Sequence, residues 1–238
     1  MPRRKPMPVA EPSAPRSRKG ARTRSRLLES AKTVFERDGF LNARISDIAA
    51  GAELSHGSFY HYFESKEQIF RMVAEEQEAR LTADTPDDTA SDATSLTELD
   101  RLRRANRRYM ERYRDAAKIM GVIEEVSRYD EQVNTARINR QKHFAERAER
   151  SIRRMQSEGV ADATVDAHIA AVALGAMVAR FAELMLVQHY AEFDFDESVE
   201  ALSRLWANAI GLKRDAEPPR KRPTRSKPTT KRIPATAT

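Results

Sequence analysis

The sequence predicts an all-α protein of about nine helices, in which an N-terminal three-helix helix-turn-helix domain precedes a larger helical domain. Apolar residues recur at spacings of three and four along most of the chain, and this is the period of an amphipathic helix. Serine, threonine and aspartate residues stand where several of these patterns begin, and glycines follow some of their ends. We expect four segments: a disordered basic arm (1–19), the helix-turn-helix domain (20–66), the larger helical domain (67–212) and a disordered basic tail (213–238).

The N-terminal domain begins with a helix predicted from about Arg22 to Asp38, which carries one apolar stripe and ends at Gly39. Serine residues mark the starts of the helices that follow, because a serine hydroxyl accepts a hydrogen bond from a first-turn amide. The predicted N-caps are Ser46 for helix 2, Ser55 for helix 3 and Ser65 for helix 4, the last in a capping box with Gln68.

The larger domain begins after an acidic, proline-containing stretch, residues 82–94, which predicts a loop. A capping box of Ser95 and Glu98 predicts the start of helix 5, and Asp115 is the predicted cap of helix 6. Helix 7 is predicted from Asp130 to Gln156. The last two helices are an all-round apolar run over 169–179 and an amphipathic segment over 199–210.

Residues 45–70 form a compact pattern of two helix starts, a tight turn and a polar-faced aromatic helix. Phe59 and Phe63 are spaced four apart and are predicted to face the core. The outward positions donate hydrogen bonds and none is acidic, which suits contact with phosphates and base edges. Arg44 and Ser46 stand at the N-terminal edge of helix 2, where free amides attract phosphate. The outward positions are His56, Ser58, Tyr60, His61 and Tyr62. The alternative is that these side chains only cap an exposed turn and face solvent.

This stretch resembles the helix-turn-helix signature of the tetracycline-repressor (TetR) family of one-component bacterial regulators. The matching residues are Ser46, Asp47, Ile48, Ala49, Ala52, Ser55, Gly57, Tyr60, Phe63, Ser65 and Lys66. The resemblance implies that Tyr60 and Lys66 contact phosphate and that Gly57 allows close approach of the backbone to DNA. Two positions depart from the family pattern: Glu53 replaces the usual turn glycine, and Tyr62 stands where histidine is frequent. A non-glycine residue at positive φ costs about 1 kcal/mol, so we expect an altered turn at Glu53.

Charge is concentrated at the two ends of the chain. Residues 1–26 hold nine Lys or Arg against one Glu, and residues 213–238 hold nine against two acidic residues. Since the net charge of the whole chain is +6, the remainder is acidic. Basic arms on an acidic body favour contact with nucleic acid, and the N-terminal arm leads directly into the motif. The alternative is that both ends only increase solubility.

The run of residues 169–179 is apolar on every side, so we expect it to be covered by more than one neighbour. It is too short to span a bilayer, and no membrane association is predicted. Because helix-turn-helix proteins commonly read pseudo-palindromic DNA as dimers, we expect a homodimer on a palindromic operator in double-stranded DNA. In the resembled family the last two helices form the dimer bundle. The candidate interface residues are Ala171, Gly175, Leu202, Leu205, Trp206 and Ala209.

The resemblance also implies that the larger domain binds a small-molecule effector as well as a second subunit. Methionine and aromatic side chains favour an apolar or amphipathic ligand. Arg180 and Glu183 lie within an apolar helix and therefore pair with each other, bridge the dimer or meet a polar ligand group. The candidate effector residues are Tyr109, Tyr113, Met120, Ile123, His143, Phe144, Arg147, Met177, Arg180 and Phe181.

Other classes of function find little support in the residues. The chain has no cysteine, five histidines and no nucleophile or glycine-rich phosphate motif, so neither a metal, a cofactor nor an enzymatic activity is expected. The prediction is therefore a cytoplasmic, nucleoid-associated transcriptional regulator, a repressor released by its effector. One alternative is a constitutive or architectural DNA-binding protein without an effector. Another is a helical enzyme or metal carrier.

Overall fold

The computed structural model describes residues 18–83 and 96–213, and over these residues the chain forms nine α-helices and no strand. The all-α prediction is confirmed. The predicted arm up to residue 17, the Ser95 cap and most of the predicted acidic loop and basic tail lie outside the described residues. The helices are α1 (Arg18–Asn42), α2 (Ile45–Gly51), α3 (His56–Phe59), α4 (Lys66–Thr82), α5 (Glu98–Asp115), α6 (Ala117–Val126), α7 (Glu131–Ser157), α8 (Ala167–Leu186) and α9 (Phe195–Ala209).

The N-terminal domain is built on α1, which packs against both α2 and α4. Edge-to-face contacts between aromatic rings hold this core together, with ring centroids 4.9 Å apart for Phe35–Phe70 and for Phe40–Phe70. Gly39 lies at φ 71° inside α1 and breaks its helical geometry at the predicted end. The helix itself begins at Arg18, so Arg18 and Lys19 belong to α1 and not to the predicted arm.

The predicted serine caps are confirmed at two helices and wrong at one. The hydroxyl oxygens of Ser55 and Ser65 accept bonds of 3.2 Å from the amides of Ser58 and Gln68. At α2 the N-cap is Arg44, because its carbonyl accepts the first helical bonds, from the amides of Asp47 and Ile48. Ser46 therefore lies inside the first turn.

The larger domain is a bundle in which α7 packs along both α4 and α8 while α5 packs against α8 and α9. Its helices begin at acidic or threonine caps, namely Thr97, Asp130, Asp166 and Asp194. The predicted Asp115 cap is wrong, because α5 continues through Asp115 and α6 follows directly after Ala116.

Among the described residues, α8 is the helix whose length and apolar composition would allow it to cross a membrane. Helices packed between other helices share this composition, and α8 lies against α5, α6, α7 and α9. It extends the predicted apolar run at both ends. The N-terminal domain meets the bundle through α4, which runs from the helix-turn-helix into contact with α7, and through α1, which packs on α6.

Candidate functional site

The second and third helices are joined by a turn that holds α3 at a fixed angle. Phe59 and Phe63 are fully buried, as predicted, and Leu54 packs against the same core. Glu53 lies at φ 53°, so the turn adopts a left-handed conformation without a glycine. The amide of Leu54 donates to the carbonyl of Ala49, and this bond closes the turn.

The burial of the two phenylalanines leaves the opposite side of residues 55–62 facing solvent. Ser55, His56, Gly57, Tyr60 and His61 are exposed there, while Ser58 and Tyr62 are half-buried. The rings of His56 and Tyr60 meet edge to face with centroids 5.5 Å apart. The helical part of this segment is a single turn, His56–Phe59, and no acidic residue occurs between 55 and 63. Hydroxyl, imidazole and phenol groups therefore dominate the face.

The two glycines of the motif have different surroundings. A β-carbon added at Gly57 would meet no atom of the chain within 4 Å. At Gly51 an added β-carbon would lie 2.3 Å from the hydroxyl of Ser30, which donates a 2.7 Å bond to the carbonyl of Ile48. Gly51 is thus needed for the packing of α2 on α1, whereas the chain itself does not require a glycine at position 57.

Lys66 does not offer its amine to the exposed face, and this corrects its predicted role as a phosphate contact. The ammonium group donates to the carbonyls of Phe40, Leu41 and Ala43 at 2.8, 3.1 and 3.0 Å. A lysine has three N–H donors, and all of them are used at the end of α1. Lys66 therefore connects the start of α4 to the end of α1. Arg44 and Ser46 remain exposed at the start of α2.

A cavity of about 320 Å³ lies in the larger domain, between the end of α4 and helices α5, α7 and α9. Four predicted effector residues line it together: Tyr109, His143, Phe144 and Arg147. A groove of about 350 Å³ between α7 and α8 shares Tyr109 and Phe144 with this cavity. Trp206, which the sequence assigned to a dimer interface, is buried within one chain and lines the cavity.

The remaining predicted effector residues lie outside these two spaces. Tyr113, Met120 and Ile123 are buried in the core, and Met177 and Phe181 pack against it. Arg180 and Glu183 pair with each other, and the buried carboxylate of Glu183 also accepts a 2.9 Å bond from Gln188. Of the three possibilities considered for Arg180 and Glu183, the structure thus shows the mutual pair.

A buried polar network connects the cavity to α4, and the sequence analysis missed it. The guanidinium of Arg140 on α7 donates a 2.7 Å bond to the hydroxyl of Tyr109, and its Nε lies 2.8 Å from Oε2 of Glu78 on α4. The approach to Glu78 is an ion pair and not a well-directed hydrogen bond, because neither carboxylate oxygen accepts one within the described chain. Burial raises the pKa of Glu78 against the attraction of Arg140 and Arg137. Desolvation likewise raises the pKa of Tyr109 to about 12, so its phenol stays neutral.

Comparisons with known proteins agree with the motif. The model of the family described as bacterial regulatory proteins, tetR family, matches residues 27–73, which hold α2, α3 and parts of α1 and α4. Residues 27–73 therefore carry the DNA-binding domain of the TetR family. The helix-turn-helix-type transcriptional repressor NicS of Pseudomonas putida is 35% identical over 79 residues, which cover 30% of this chain and 37% of NicS. The regulator YdgC of Bacillus subtilis is 40% identical over 63 residues, covering 26% of this chain and 32% of YdgC. The chain therefore matches about a third of the length of these relatives.

Solved structures resemble the chain in fold over about four fifths of its length. The fatty acid degradation regulator FadR of Bacillus halodurans has a TM-score of 0.62 at 15% identity, covering 80% of this chain and 97% of that chain. FadR of Bacillus subtilis, solved in complex with stearoyl-CoA, has a TM-score of 0.59 at 14% identity, covering 78% and 98%. At these identities the likeness concerns the fold. The named relatives are transcriptional regulators, which agrees with the expectation that the protein is not an enzyme.

The predicted dimer residues divide into two groups. Ala171, Leu202 and Trp206 are buried inside the single chain, and Gly175 allows α8 to approach the ring of Phe144, where an added β-carbon would lie 2.8 Å from Cδ1. These four face the chain's own core, which corrects the prediction. Leu205 and Ala209 are exposed on α9. The exposed residues of α8 are His168, Ile169, Val172, Ala173, Ala176 and Arg180.

Within residues 18–83 and 96–213, no group of three or more His, Asp or Glu side chains is arranged to hold a metal ion. The E-x-x-H spacing of Glu53 and His56 brings together no such set, because Glu53 pairs with Arg26 and His56 packs on Tyr60. His168 pairs with Glu149 at 2.8 Å.

Proposed function

We propose that this protein is a sequence-specific DNA-binding transcriptional regulator, a repressor that binds a palindromic operator as a homodimer and leaves it when a small-molecule effector binds. The observation that carries the proposal is the exposed, carboxylate-free face of residues 55–62, anchored from behind by Phe59 and Phe63. Such a face is compatible with the negative potential of DNA. Repression is supported by the relative NicS, which is named a transcriptional repressor. A regulator of this kind works in the cytoplasm, on the nucleoid.

The residues of the face divide into two roles by position. Tyr60 is half-exposed and stands at the end of α3, where its phenol is placed to donate to a phosphate oxygen. His56, Ser58, His61 and Tyr62 are the proposed base readers, and Arg44, Ser46 and Ser55 lie at helix starts beside the backbone. Gly57 has open space on its outer side, which suits close approach of DNA.

A second copy of the chain is the proposed partner of α8 and α9. Ile169 is 67% exposed, Leu205 is 53% exposed, and the exposed alanines Ala173 and Ala176 follow Val172 along α8. Small residues allow helices to approach closely, and exposed apolar groups favour burial in an interface. The two helix-turn-helix domains of such a dimer would bind two half-sites about one turn of DNA apart.

The effector response is proposed to pass through α4. Tyr109 lines the cavity and accepts a bond from Arg140, and Arg140 pairs with Glu78 near the C-terminal half of α4. The same helix begins at Lys66, beside the helix-turn-helix. A ligand that moves Tyr109 would shift this buried pair and with it α4. The distance between the two helix-turn-helix domains of the dimer would then no longer fit successive major grooves. The loss of DNA affinity then equals the ligand's preference for the released conformation.

Selection of bound sequences from a random library of about 30 base pairs tests the function directly, because that length spans two half-sites. A regulator should enrich a palindrome, protect it in footprinting and prefer it over random DNA by more than about a thousandfold. Uniform, salt-sensitive coating without a preferred sequence would contradict the proposal and favour the architectural alternative.

Replacement of Tyr60 by alanine tests the placement of the face. We expect Tyr60→Ala to lower affinity for the selected operator at least about tenfold, as loss of a phosphate hydrogen bond would. The melting temperature should change little, because the side chain is 51% exposed. Tyr129→Ala is the matched control, since Tyr129 is similarly exposed but lies after α6. Equal operator affinity of both variants and the native protein would show that α3 is not the reading helix.

A further inference from the structure

The cavity between α4, α5, α7 and α9 has a strongly unequal charge. Six arginines line it, against the single carboxylate of Glu98, which pairs with Arg101 and, at 2.8 Å, with Arg154. Arg101, Arg108 and Arg147 have further partners of their own. The side chain of Arg104 has no ion pair or hydrogen bond within the described residues, and the residue is exposed at the cavity wall. The lining therefore attracts anions.

A second, independent feature of the cavity is an unused hydrogen-bond donor. Trp206 lines it and is 3% exposed, and its indole nitrogen has no acceptor among the residues that the structure describes. An indole N–H is a donor only, and buried donors are almost always paired in folded proteins. The missing acceptor can be supplied by an oxygen of a bound molecule.

The rest of the wall is apolar. Leu102, Phe144 and Met155 contribute side chains from α5 and α7, and Ile210 closes the end near α9. Ligand pockets commonly measure about 300–1,000 Å³, so this cavity belongs to the small end of that range. A short apolar body fits it better than a long one.

The geometry points to a small anionic amphiphile as the ligand of this cavity: a compound with a short alkyl or aromatic body and a carboxylate or phosphate head. The body lies among the apolar residues. The head accepts hydrogen bonds from the indole of Trp206 and from Arg104. This inference deepens the proposed function, on which it rests only for the effect of the ligand on DNA binding.

Binding can be measured on the full chain without DNA, because Trp206 is its single tryptophan and its fluorescence reports on the cavity. The probes are decanoate, decyl phosphate, decanol and decyltrimethylammonium, with calorimetry as the second readout. We expect one or both anions to bind at least about tenfold more tightly than decanol, the difference that a charge-assisted hydrogen bond makes. Binding of only one anion would identify the head group. Equal binding of decanol, or tighter binding of the cation, would overturn the inference.

Two variants locate the head group. Arg104→Gln should weaken anion binding by about tenfold and leave decanol binding unchanged, because only the charged head contacts the guanidinium. Trp206→Phe keeps an aromatic ring and removes the N–H, and calorimetry should show weaker anion binding of several-fold. The matched control is Arg150→Gln, which removes the same charge from an exposed position of α7 outside the cavity. If Arg150→Gln weakened anion binding as much as Arg104→Gln, the anion would be attracted by the overall charge of the protein, and the proposed contact with Arg104 would be wrong.

A second assay separates this inference from the proposed function. The selected operator is bound first, and the anion is then added. Binding of the anion in the cavity without release of DNA would agree with the inferred ligand class. It would contradict the proposal that an effector releases the repressor from its operator. Failure of all anions to bind a protein whose operator binding still depends on Tyr60 would overturn the ligand class alone.

Discussion

Arg26 on α1 and Glu53 in the turn before α3 form an ion pair in which Nη2 of the arginine lies 2.6 Å from Oε2 of the glutamate. The same guanidinium nitrogen donates to the carbonyl of Ala52. Arg26 thus holds both residues at the tightest point of the turn, where Glu53 has φ 53°. This contact accompanies the left-handed turn in which a glutamate replaces the usual glycine.

Replacing Glu53 by glycine and by alanine separates backbone strain from the ion pair. Both variants lose the contact with Arg26, but only glycine removes the cost of a left-handed residue, which is about 1 kcal/mol. We expect Glu53→Gly to have a free energy of unfolding in urea about 1 kcal/mol higher than Glu53→Ala. The ion pair itself is exposed, with 85% of the Glu53 side chain accessible, so its loss should cost little. Equal stabilities of the two variants would mean that the turn is unstrained.

The two glycines of the motif give a matched pair of alanine variants. In Gly57→Ala the added methyl meets no atom of the chain, so stability should be unchanged or higher by about 0.5–1 kcal/mol, the gain of alanine over glycine in a helix. Operator affinity should nevertheless fall, because the methyl faces the DNA. Thermal unfolding and fluorescence anisotropy measure the two effects.

Gly51→Ala should behave in the opposite way. Its methyl would lie 2.3 Å from the hydroxyl of Ser30, so α2 must shift away from α1, at a cost of about 1–3 kcal/mol. The melting temperature should fall clearly. Full operator affinity of Gly57→Ala would refute its role in close approach, and an unchanged melting temperature of Gly51→Ala would refute the packing argument.

Local signals in the sequence predicted the helices well. Ser55 and Ser65 cap helices as expected, because an N-cap needs only a side-chain oxygen next to its own first turn. Phe59 and Phe63 are buried as their spacing requires. Ser46 was predicted wrongly because a serine two residues after the N-cap looks the same in sequence as a true cap.

Contacts between distant segments were not predictable in the same way. Lys66 lies more than twenty residues from the carbonyls that it binds, and no local pattern pairs Glu78 with Arg140. The dimer prediction suffered from the same limit. An all-round apolar helix such as α8 does not reveal which side its own chain covers, so Ala171 was assigned outward while Val172 is the exposed residue.

Acid should weaken the contact between α5 and α9. Arg103 binds Glu200 through two nitrogens at 2.7 and 2.8 Å, and these bonds together with Arg204 lower the pKa of Glu200 to about 2. A lowered pKa means that the folded state favours the ionised carboxylate, so its contribution is complete above the ordinary value of 4.5 and is lost as the pH falls toward about 2.

Glu200→Gln should therefore have a lower melting temperature than the native protein at pH 7, by an amount that stays constant down to about pH 5 and shrinks below it. Since the pair is partly exposed, the difference should be within about 1 kcal/mol. Glu146→Gln is the control, because Glu146 is exposed on α7 and has no ion pair in the described chain. If the difference in melting temperature between Glu200→Gln and the native protein did not depend on pH, the lowered pKa of Glu200 would be contradicted.

The buried pair of Glu78 and Arg140 should reveal itself through non-additive effects on stability. Both side chains are almost completely buried, and Arg140 also binds Tyr109. Glu78→Leu or Arg140→Met alone leaves a buried charge without its partner, which costs about 3–5 kcal/mol. The double variant Glu78→Leu/Arg140→Met removes both charges, and apolar replacement of a whole buried pair is often neutral or stabilising. Urea unfolding of the four proteins measures the coupling.

The same four proteins show whether the pair serves folding or communication between the domains. If it connects the cavity to α4, the double variant should fold stably but bind the operator with an affinity that no longer responds to a cavity ligand. Tyr109→Phe, which removes only the hydroxyl that accepts the bond from Arg140, should reduce the response without a comparable loss of stability. A stable double variant whose operator affinity still responds to the ligand would mean that the signal reaches the helix-turn-helix by another route, such as the packing of α4 on α5 or of α1 on α6.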